Sequence, residues 1–322
     1  MKVPDGFTSV RTTTLNAKQP LEMDVFVPVA ERPVRYAAAG DAMDTERLAR
    51  LKKFRFSKIL IRAEDEAKYR TFLDNVLKQA ENTKKPLDER SAAMTASTDS
   101  AGEDLVKRVE SAETYKLATK QFERFAQFLK ANEGALDLVL GTFRDSPDRD
   151  HVSHGSFVGT LALALAEQHN LLKLPGSRAQ LVAAAFLHDR PLELMNLPFR
   201  KAGVYTPEQE TEWKEHPLKA AEALNGFPHF ERLTLELIAQ HEELPNGKGY
   251  PRSLNGKNMQ PLAIPLSLAN RFDHALVDAG PKPGEEFATT FKMAQLGIFD
   301  LDMVENLLKM AKKSGLIVAG NT

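Results

Sequence analysis

The chain has 322 residues, of which 42% are hydrophobic and 27% charged, and its formal net charge is −1. Such balanced charge excludes the overall basic field that binds bulk nucleic acid or an anionic membrane surface, so a phosphate-bearing ligand must be small and locally bound. Cysteine is absent, which excludes disulfides and thiolate metal sites. A metal would therefore be held by histidine, carboxylate, amide and water ligands.

No segment has the pattern of a secreted or membrane-inserted chain. The first residues lack the apolar run of a signal peptide, and no later stretch approaches the ~20 apolar residues of a membrane span. We therefore expect a cytoplasmic protein without a membrane partner.

Residues 1–80 are predicted to form a small α/β domain. The predicted elements are strands at 23–29, 33–38 and 57–62, a helix that begins at Asp44, and a second helix at 64–80. The first two strands are separated by three residues, which is typical of a hairpin. Nothing in this segment has catalytic spacing, so we interpret it as a regulatory or dimerisation domain.

Residues 81–102 are predicted to be a linker, because the segment is polar and its apolar periodicity fades, and a helix over part of it is compatible with the sequence. Residues 103–145 are predicted to form connecting amphipathic helices, and the apolar stripe of 103–130 indicates one long helix. That stripe can pack on the following domain or on the same helix of a second subunit. A homodimer is therefore one of two interpretations.

The C-terminal half carries histidines next to carboxylates. His188-Asp189 ends an apolar helical run, and an imidazole and a carboxylate at a helix end can both turn toward one metal. The alternative is a histidine that caps the helix, followed by an aspartate in the turn. Asp150 and His154 are four residues apart and share a helix face, as metal ligands or as a surface pair.

Two further histidines follow at the ends of predicted helices. Thr206 and Pro207 have the pattern of a helix start, and that helix carries His216. A helix over residues 230–240 leads into His241. The segment after it contains Asn-Gly and Gly-Tyr-Pro, which are typical of a tight turn.

These elements together resemble the HD-GYP family of metal-dependent phosphohydrolases. The resemblance rests on His154, His188-Asp189, His216-Pro217, His241-Glu242 and Gly249-Tyr250-Pro251, in that order, and covers residues 146–322. It implies an all-α helical-bundle domain after the small α/β domain, which makes the fold α+β overall. It also implies two divalent metals, iron or manganese, and hydrolysis of cyclic di-GMP to pGpG or GMP by a metal-bridged hydroxide.

The resemblance implies a role for each site residue. Asp189 would bridge the metals, His154 and His188 would ligate one metal, and His216 and His241 the other. Asp150 would be an acid for a third metal. The pocket wall would be shaped by the loop residues Gly247, Gly249, Tyr250 and Pro251.

Several positions depart from the family pattern. Gln240 stands where a histidine ligand is expected and Asn270 where an aspartate ligand is expected, with Asp273 as a substitute carboxylate. Arg190 stands close to where the family has a phosphate-binding lysine. Arg190 and Lys201, with Lys248 and Arg271, are the candidate cations for substrate phosphate.

The sequence is compatible with three hypotheses about function. In the first, the protein is a metal-dependent cyclic di-GMP phosphodiesterase with an altered, slow site. In the second, it is a degenerate module that binds metal, and a cyclic nucleotide, and signals through protein partners. In the third, the helical domain is structural and holds no metal.

Overall fold

The computed structural model of the chain describes residues 3–15, 20–30, 32–54, 56, 58–144, 150–194 and 206–318. The chain divides into two compact units, residues 1–100 and 101–322. None of the described helices is long and apolar enough to cross a membrane.

The first unit contains a four-stranded antiparallel sheet. Its strands are β1 (Phe7–Arg11), β2 (Val25–Val29), β3 (Arg32–Ala37) and β4 (Lys58–Arg62), in the spatial order β1-β4-β2-β3. The helices α1 (Thr45–Lys53) and α2 (Glu66–Glu81) accompany the sheet. The predicted hairpin, third strand and two helices are confirmed, whereas β1 is an additional strand that the sequence reading missed.

The sheet and α2 are held by regularly spaced apolar side chains. Ile59, Leu60 and Ile61 of β4 are buried, and so are Tyr69 and Phe72 of α2. Residues three and four apart on a helix share a face, so the stripe of α2 makes one continuous apolar surface.

Most of the predicted linker is helical, which the sequence interpretation allowed for part of it. Helix α3 (Leu87–Lys107) contains the polar run and crosses the division between the units, and α4 (Ala112–Ala131) follows after a break. The prediction of one long helix over residues 103–130 is therefore wrong. Alanines favour a helix, and the hydroxyls of Thr95 and Thr98 donate to the carbonyls of Ser91 and Met94 one turn earlier, so these buried hydroxyls are hydrogen-bonded.

The second unit is all-helical in its described residues. Its further helices are α5 (Ala135–Gly141), α6 (His151–Gln168), α7 (Ser177–Leu187), α8 (Arg190–Leu194), α9 (Pro207–Asn225), α10 (Arg232–Gln240), α11 (Ala263–Ala279), α12 (Glu285–Gln295) and α13 (Leu301–Lys313). The predicted start of α9 is confirmed: Thr206 and Gln209 form a capping box, with Pro207 at the first helical position.

Helices α6 and α7 lie in the core of this unit and pack closely. A Cβ atom on Gly155 would lie 2.6 Å from the carbonyl oxygen of Ala185, and one on Gly159 would lie 3.2 Å from the Ala185 Cβ. The two glycines therefore allow the helix backbones to approach. This approach brings His154 of α6 next to His188 at the end of α7.

Candidate metal centre

His188 and Asp189 lie at the C-terminal end of α7 and are almost fully buried, with 0% and 1% of their surface exposed. The His188 Nδ1 atom lies 2.7 Å from the carbonyl oxygen of Ala185, three residues earlier. Because Nδ1–H donates to this carbonyl, the unprotonated Nε2 atom faces away from the helix end. The local fold thus fixes both the tautomer and the ring direction.

Two other histidines use the same arrangement. His216 in α9 donates from Nδ1 to the carbonyl of Trp213, and His241 after α10 donates from Nδ1 to the carbonyl of Ile238 at 2.7 Å. In each case the acceptor lies three residues before the histidine. The Nε2 atoms of both histidines therefore face away from these carbonyls.

His154 is oriented differently, because it lies in the first turn of α6. Its Nδ1 atom lies 2.6 Å from Oδ2 of Asp273 in α11, and both side chains are fully buried. A carboxylate that accepts from Nδ1 orients a histidine and makes its Nε2 atom a better ligand. Asp273 is therefore an outer partner of His154, and the expectation that it substitutes for a ligand at position 270 is not supported by this contact.

The four Nε2 atoms surround the carboxylate of Asp189 in two pairs. Oδ2 lies 3.4 Å from Nε2 of both His154 and His188, and Oδ1 lies 3.2 Å from Nε2 of His216 and 3.5 Å from that of His241. Within the pairs, the Nε2 atoms are 3.1 Å and 2.9 Å apart. The structure thus brings together two groups of potential ligands that share Asp189.

The charge states of three of the histidines and of Asp189 suit a cation. Burial lowers the pKa of His154 to about 4 and that of His188 to about 3, and it also lowers the pKa of His241. Burial alone would lower the pKa of His216 as well, but its hydrogen bond to the Asp189 carboxylate raises it. Burial alone would raise the pKa of Asp189, but the neighbouring histidines hold it well below its ordinary value. Neutral imidazoles and an ionised carboxylate are the forms that bind metal.

Two imidazole Nε2 atoms at these distances from each other repel unless a proton or a cation lies between them. The Oδ2 atom of Asp189 is buried and has no hydrogen-bond partner within the described part of the chain. A donor set of four imidazoles and one carboxylate fits a divalent transition metal. The residues present therefore fit the metal that the sequence predicted.

Gln240 and Asn270, the two amides at positions where the family has metal ligands, make different hydrogen bonds. Gln240 uses Oε1 to accept a hydrogen bond from the backbone N–H of Gln260, at 2.7 Å. Asn270 is fully buried, and its Nδ2 atom donates to Oε1 of Glu242, at 3.1 Å. The Asn270 Oδ1 atom has no hydrogen-bond partner among the described residues.

The sequence reading assigned no role to Glu242 or Glu243, which follow His241. Oε1 of Glu242 lies 3.9 Å from the His241 Nε2 atom, and burial raises the pKa of Glu242 to about 7. The carboxylate of Glu243 accepts from the backbone N–H groups of Arg252 and Leu254, at 2.7 and 2.8 Å. The available signal in the sequence was the two adjacent acids directly after His241, a candidate ligand.

The loop after α10 is closely packed around its glycines. Gly247 has a φ of 77°, and a Cβ atom on Gly249 would lie 2.2 Å from the backbone nitrogen of Leu244. Next to it, the Tyr250 hydroxyl accepts a hydrogen bond from Nε1 of Trp213, at 2.9 Å, and Pro251 follows. The loop is thereby attached to α9 one turn before His216.

The remaining predicted site residues lie outside the two ligand groups. Asp150 caps α6, and its Oδ1 atom accepts from the backbone N–H of Ser153 at 2.8 Å. The Nε atom of Arg190 donates to the carbonyl of Val106 at 3.2 Å. Lys201 lies outside the described residues.

Comparison with known proteins shows which family model and which curated relatives match this chain. A family model for the HD domain matches residues 144–300. A cyclic di-GMP phosphodiesterase of Thermotoga maritima is 27% identical over 206 residues, which are 62% of this chain and 54% of that protein. A cyclic di-GMP phosphodiesterase of Vibrio cholerae is 33% identical over 156 residues, which are 44% of this chain and 30% of that protein. The chain thus spans about half or less of the length of these curated relatives.

A solved structure is similar over almost the whole chain. It is that of Bd1817, an HDG"Y"P protein from Bdellovibrio bacteriovorus, with 28% identity and a TM-score of 0.83. The match covers 95% of this chain and 99% of the other. Both the small sheet domain and the helical unit therefore have counterparts in that protein.

Proposed function

Since the chain belongs to the HD-GYP family of HD-domain proteins, we propose that it is a metal-dependent phosphodiesterase that hydrolyses cyclic di-GMP to pGpG or GMP. The observation that carries this proposal is the arrangement of four Nε2 atoms in two pairs around the carboxylate of Asp189. The names of the two bacterial relatives support the substrate.

The proposed metal ligands are His154 and His188 for one ion and His216 and His241 for the other, with Asp189 shared by both. Two bound divalent ions, iron or manganese, would activate water and stabilise the charge that develops on the phosphodiester. The protein contributes an ionised, buried Asp189 and imidazoles whose directions are already fixed by hydrogen bonds from Nδ1, so little reorganisation is needed on binding.

Substrate phosphate requires cationic donors close to the centre. Arg190 follows Asp189 directly, and the hydrogen bond from its Nε atom to the Val106 carbonyl does not involve the Nη groups, which are the guanidinium donors suited to a phosphate. We propose Arg190 for this role. Lys201 and Arg271 stay predictions as further cations.

A second candidate function is a module that binds metal and a cyclic nucleotide without turnover. The observation that favours it is the smaller ligand set, because Gln240 uses its oxygen for the Gln260 backbone and Asn270 is uncharged. Signalling partners, a homodimer and a cytoplasmic location stay predictions.

Metal analysis and a cyclic di-GMP product assay on the purified protein test these functions together. We expect bound iron or manganese and formation of pGpG. The variant Asp189→Ala should lose both metal and turnover, since it removes the shared carboxylate. The matched control, His169→Ala at the far end of α6, should keep both.

The outcomes distinguish the candidates. Metal and nucleotide binding without product would favour the binding module. A full metal load in Asp189→Ala would show that the two histidine pairs do not form the proposed centre.

A further inference from the structure

We propose that Trp213 is a positioning residue that sets His216 and His241 jointly, because it links the helix that carries one histidine to the loop that follows the other. The inference rests on the proposed function, since it concerns the same centre. It assigns a role to an uncharged residue that lies outside the histidine motifs and the Gly-Tyr-Pro motif.

The first argument is the contact between Trp213 and His216 within α9. Trp213 is almost fully buried, with 5% of its surface exposed. Its backbone carbonyl accepts the Nδ1–H of His216, and its indole ring meets the imidazole edge-on, with ring centroids 5.5 Å apart and ring planes at 61°. Such an edge-on arrangement is favourable for aromatic rings. Both the backbone and the side chain of Trp213 therefore restrict the rotation of His216.

The second argument is the indole N–H group. The Nε1 atom of Trp213 donates to the hydroxyl of Tyr250, at 2.9 Å. An indole N–H can only donate, and a buried one usually finds an acceptor. The Tyr250 ring also lies near His216, with ring centroids 6.5 Å apart. The side-chain conformation of Trp213 that packs on His216 is thus the one that binds the loop.

The third argument is that Tyr250 is also bound to the segment that carries His241. The backbone N–H of Tyr250 donates to the carbonyl of Glu242, the residue directly after His241, at 3.1 Å. Since His241 lies just beyond the last residue of α10, its position depends on this following segment. The contacts therefore form a continuous link between His216 and His241, whose Nε2 atoms are 2.9 Å apart. A shift of the loop against α9 would change how both histidines face one ion.

The first histidine pair is positioned by a different kind of contact. Its helices α6 and α7 approach through their backbones at Gly155 and Gly159. The link at the second pair is a hydrogen bond between two side chains, Trp213 and Tyr250. It can therefore be removed by substitutions that keep both aromatic rings in place.

The test is a double-mutant cycle of Trp213→Phe and Tyr250→Phe, read out as the affinity of the metal-depleted protein for Mn²⁺ by calorimetry. Each substitution keeps an aromatic ring and removes one partner of the same hydrogen bond. Each single variant should bind Mn²⁺ roughly 5-fold more weakly, which is the effect of losing one neutral hydrogen bond. The double variant should bind no more weakly than either single variant, because the bond can be lost only once.

The matched control is Tyr115→Phe, which also removes a hydroxyl from a buried tyrosine. The Tyr115 hydroxyl donates to Glu231 at the start of α10, outside the two groups of potential ligands. This variant should lower the midpoint of thermal unfolding and leave the Mn²⁺ affinity unchanged. An equal loss of Mn²⁺ affinity in the control would show a general effect of stability and would overturn the inference.

The hydrogen bond itself can be observed, because Trp213 is the only tryptophan of the chain. A proton–nitrogen NMR spectrum therefore contains a single indole signal. In the metal-free protein, Tyr250→Phe should shift this signal, whereas Tyr115→Phe should leave it in place. In the native chain, the signal should broaden when Mn²⁺ binds, because the ion is paramagnetic and lies close to Trp213.

Three further results would overturn the inference: an unchanged Mn²⁺ affinity in Trp213→Phe, a loss in the double variant equal to the product of the single losses, or an indole signal that Tyr250→Phe does not shift. A native chain that binds no Mn²⁺ would overturn both this inference and the proposed centre. Mn²⁺ binding with the expected cycle, but without cyclic di-GMP hydrolysis, would support the positioning role and overturn only the proposed activity.

Discussion

At the scale of single residues, the centre depends on how each imidazole is turned. Three histidines donate Nδ1–H to a carbonyl three residues earlier, so their directions follow from the local chain. His154 has no such arrangement and depends on Asp273, 119 residues away. The orientation of His154 is therefore the one most sensitive to a remote substitution.

We expect Asp273→Asn to weaken Mn²⁺ binding by roughly 10-fold, because an amide oxygen still accepts from His154 but no longer makes the imidazole more basic. Calorimetric titration of the metal-depleted variant measures this. The control is Asp278→Asn, an exposed position on the same helix, which should bind Mn²⁺ as the native chain does. Equal affinities in the two variants would refute the role of Asp273.

At the scale of elements, the loop between α10 and α11 positions the second histidine pair. Glu243 accepts two backbone N–H groups of the loop, and Tyr250 accepts from Trp213 of α9. Gly249 packs against the chain that carries Glu242, because its own Cβ position would lie 2.6 Å from the Glu242 carbonyl oxygen. The loop and the ligand-bearing segment are thus one packed element.

We expect Gly249→Ala to destabilise the protein by roughly 3 kcal/mol or more, because the added methyl group meets backbone atoms that cannot move independently. Metal content should fall as well, since Glu242 and His241 would shift. The control Gly226→Ala adds a methyl group where no atom lies within 4 Å. Thermal unfolding and metal analysis of both variants check this, and similar unfolding midpoints would contradict it.

At the scale of the whole molecule, all residues of the two ligand groups belong to the unit of residues 101–322. The helix α3 crosses the division, so a fragment that begins at Leu87 keeps this helix intact. The regulatory or dimerisation role of residues 1–80 stays a prediction. Metal binding is assigned to the second unit, and the predicted regulatory or dimerisation role to residues 1–80 of the first.

We expect a fragment of residues 87–322 to fold and to bind the same amount of metal per chain as the full protein, because its ligands and their partners are all present. Metal analysis and circular dichroism of the fragment measure both properties. A folded fragment without metal would show that the first unit completes the centre, which would contradict the assignment.

The sequence by itself determined the features that depend on neighbouring residues. The start of α9 followed from Thr206 and Pro207, and the hairpin of the first unit from its strand spacing. The order of the histidine motifs identified the family. These predictions succeeded because capping, turns and motif spacing are local properties of the chain.

The tertiary structure alone decided which groups meet. The segment of α3 is polar and was predicted as a linker. It forms a helix because its small residues fit a buried helix and its threonine hydroxyls donate to backbone carbonyls one turn earlier. The contact of His154 with Asp273 and the contact of Asn270 with Glu242 join residues far apart in the chain. Sequence spacing cannot predict such pairs, because they depend on how α6, α10 and α11 pack.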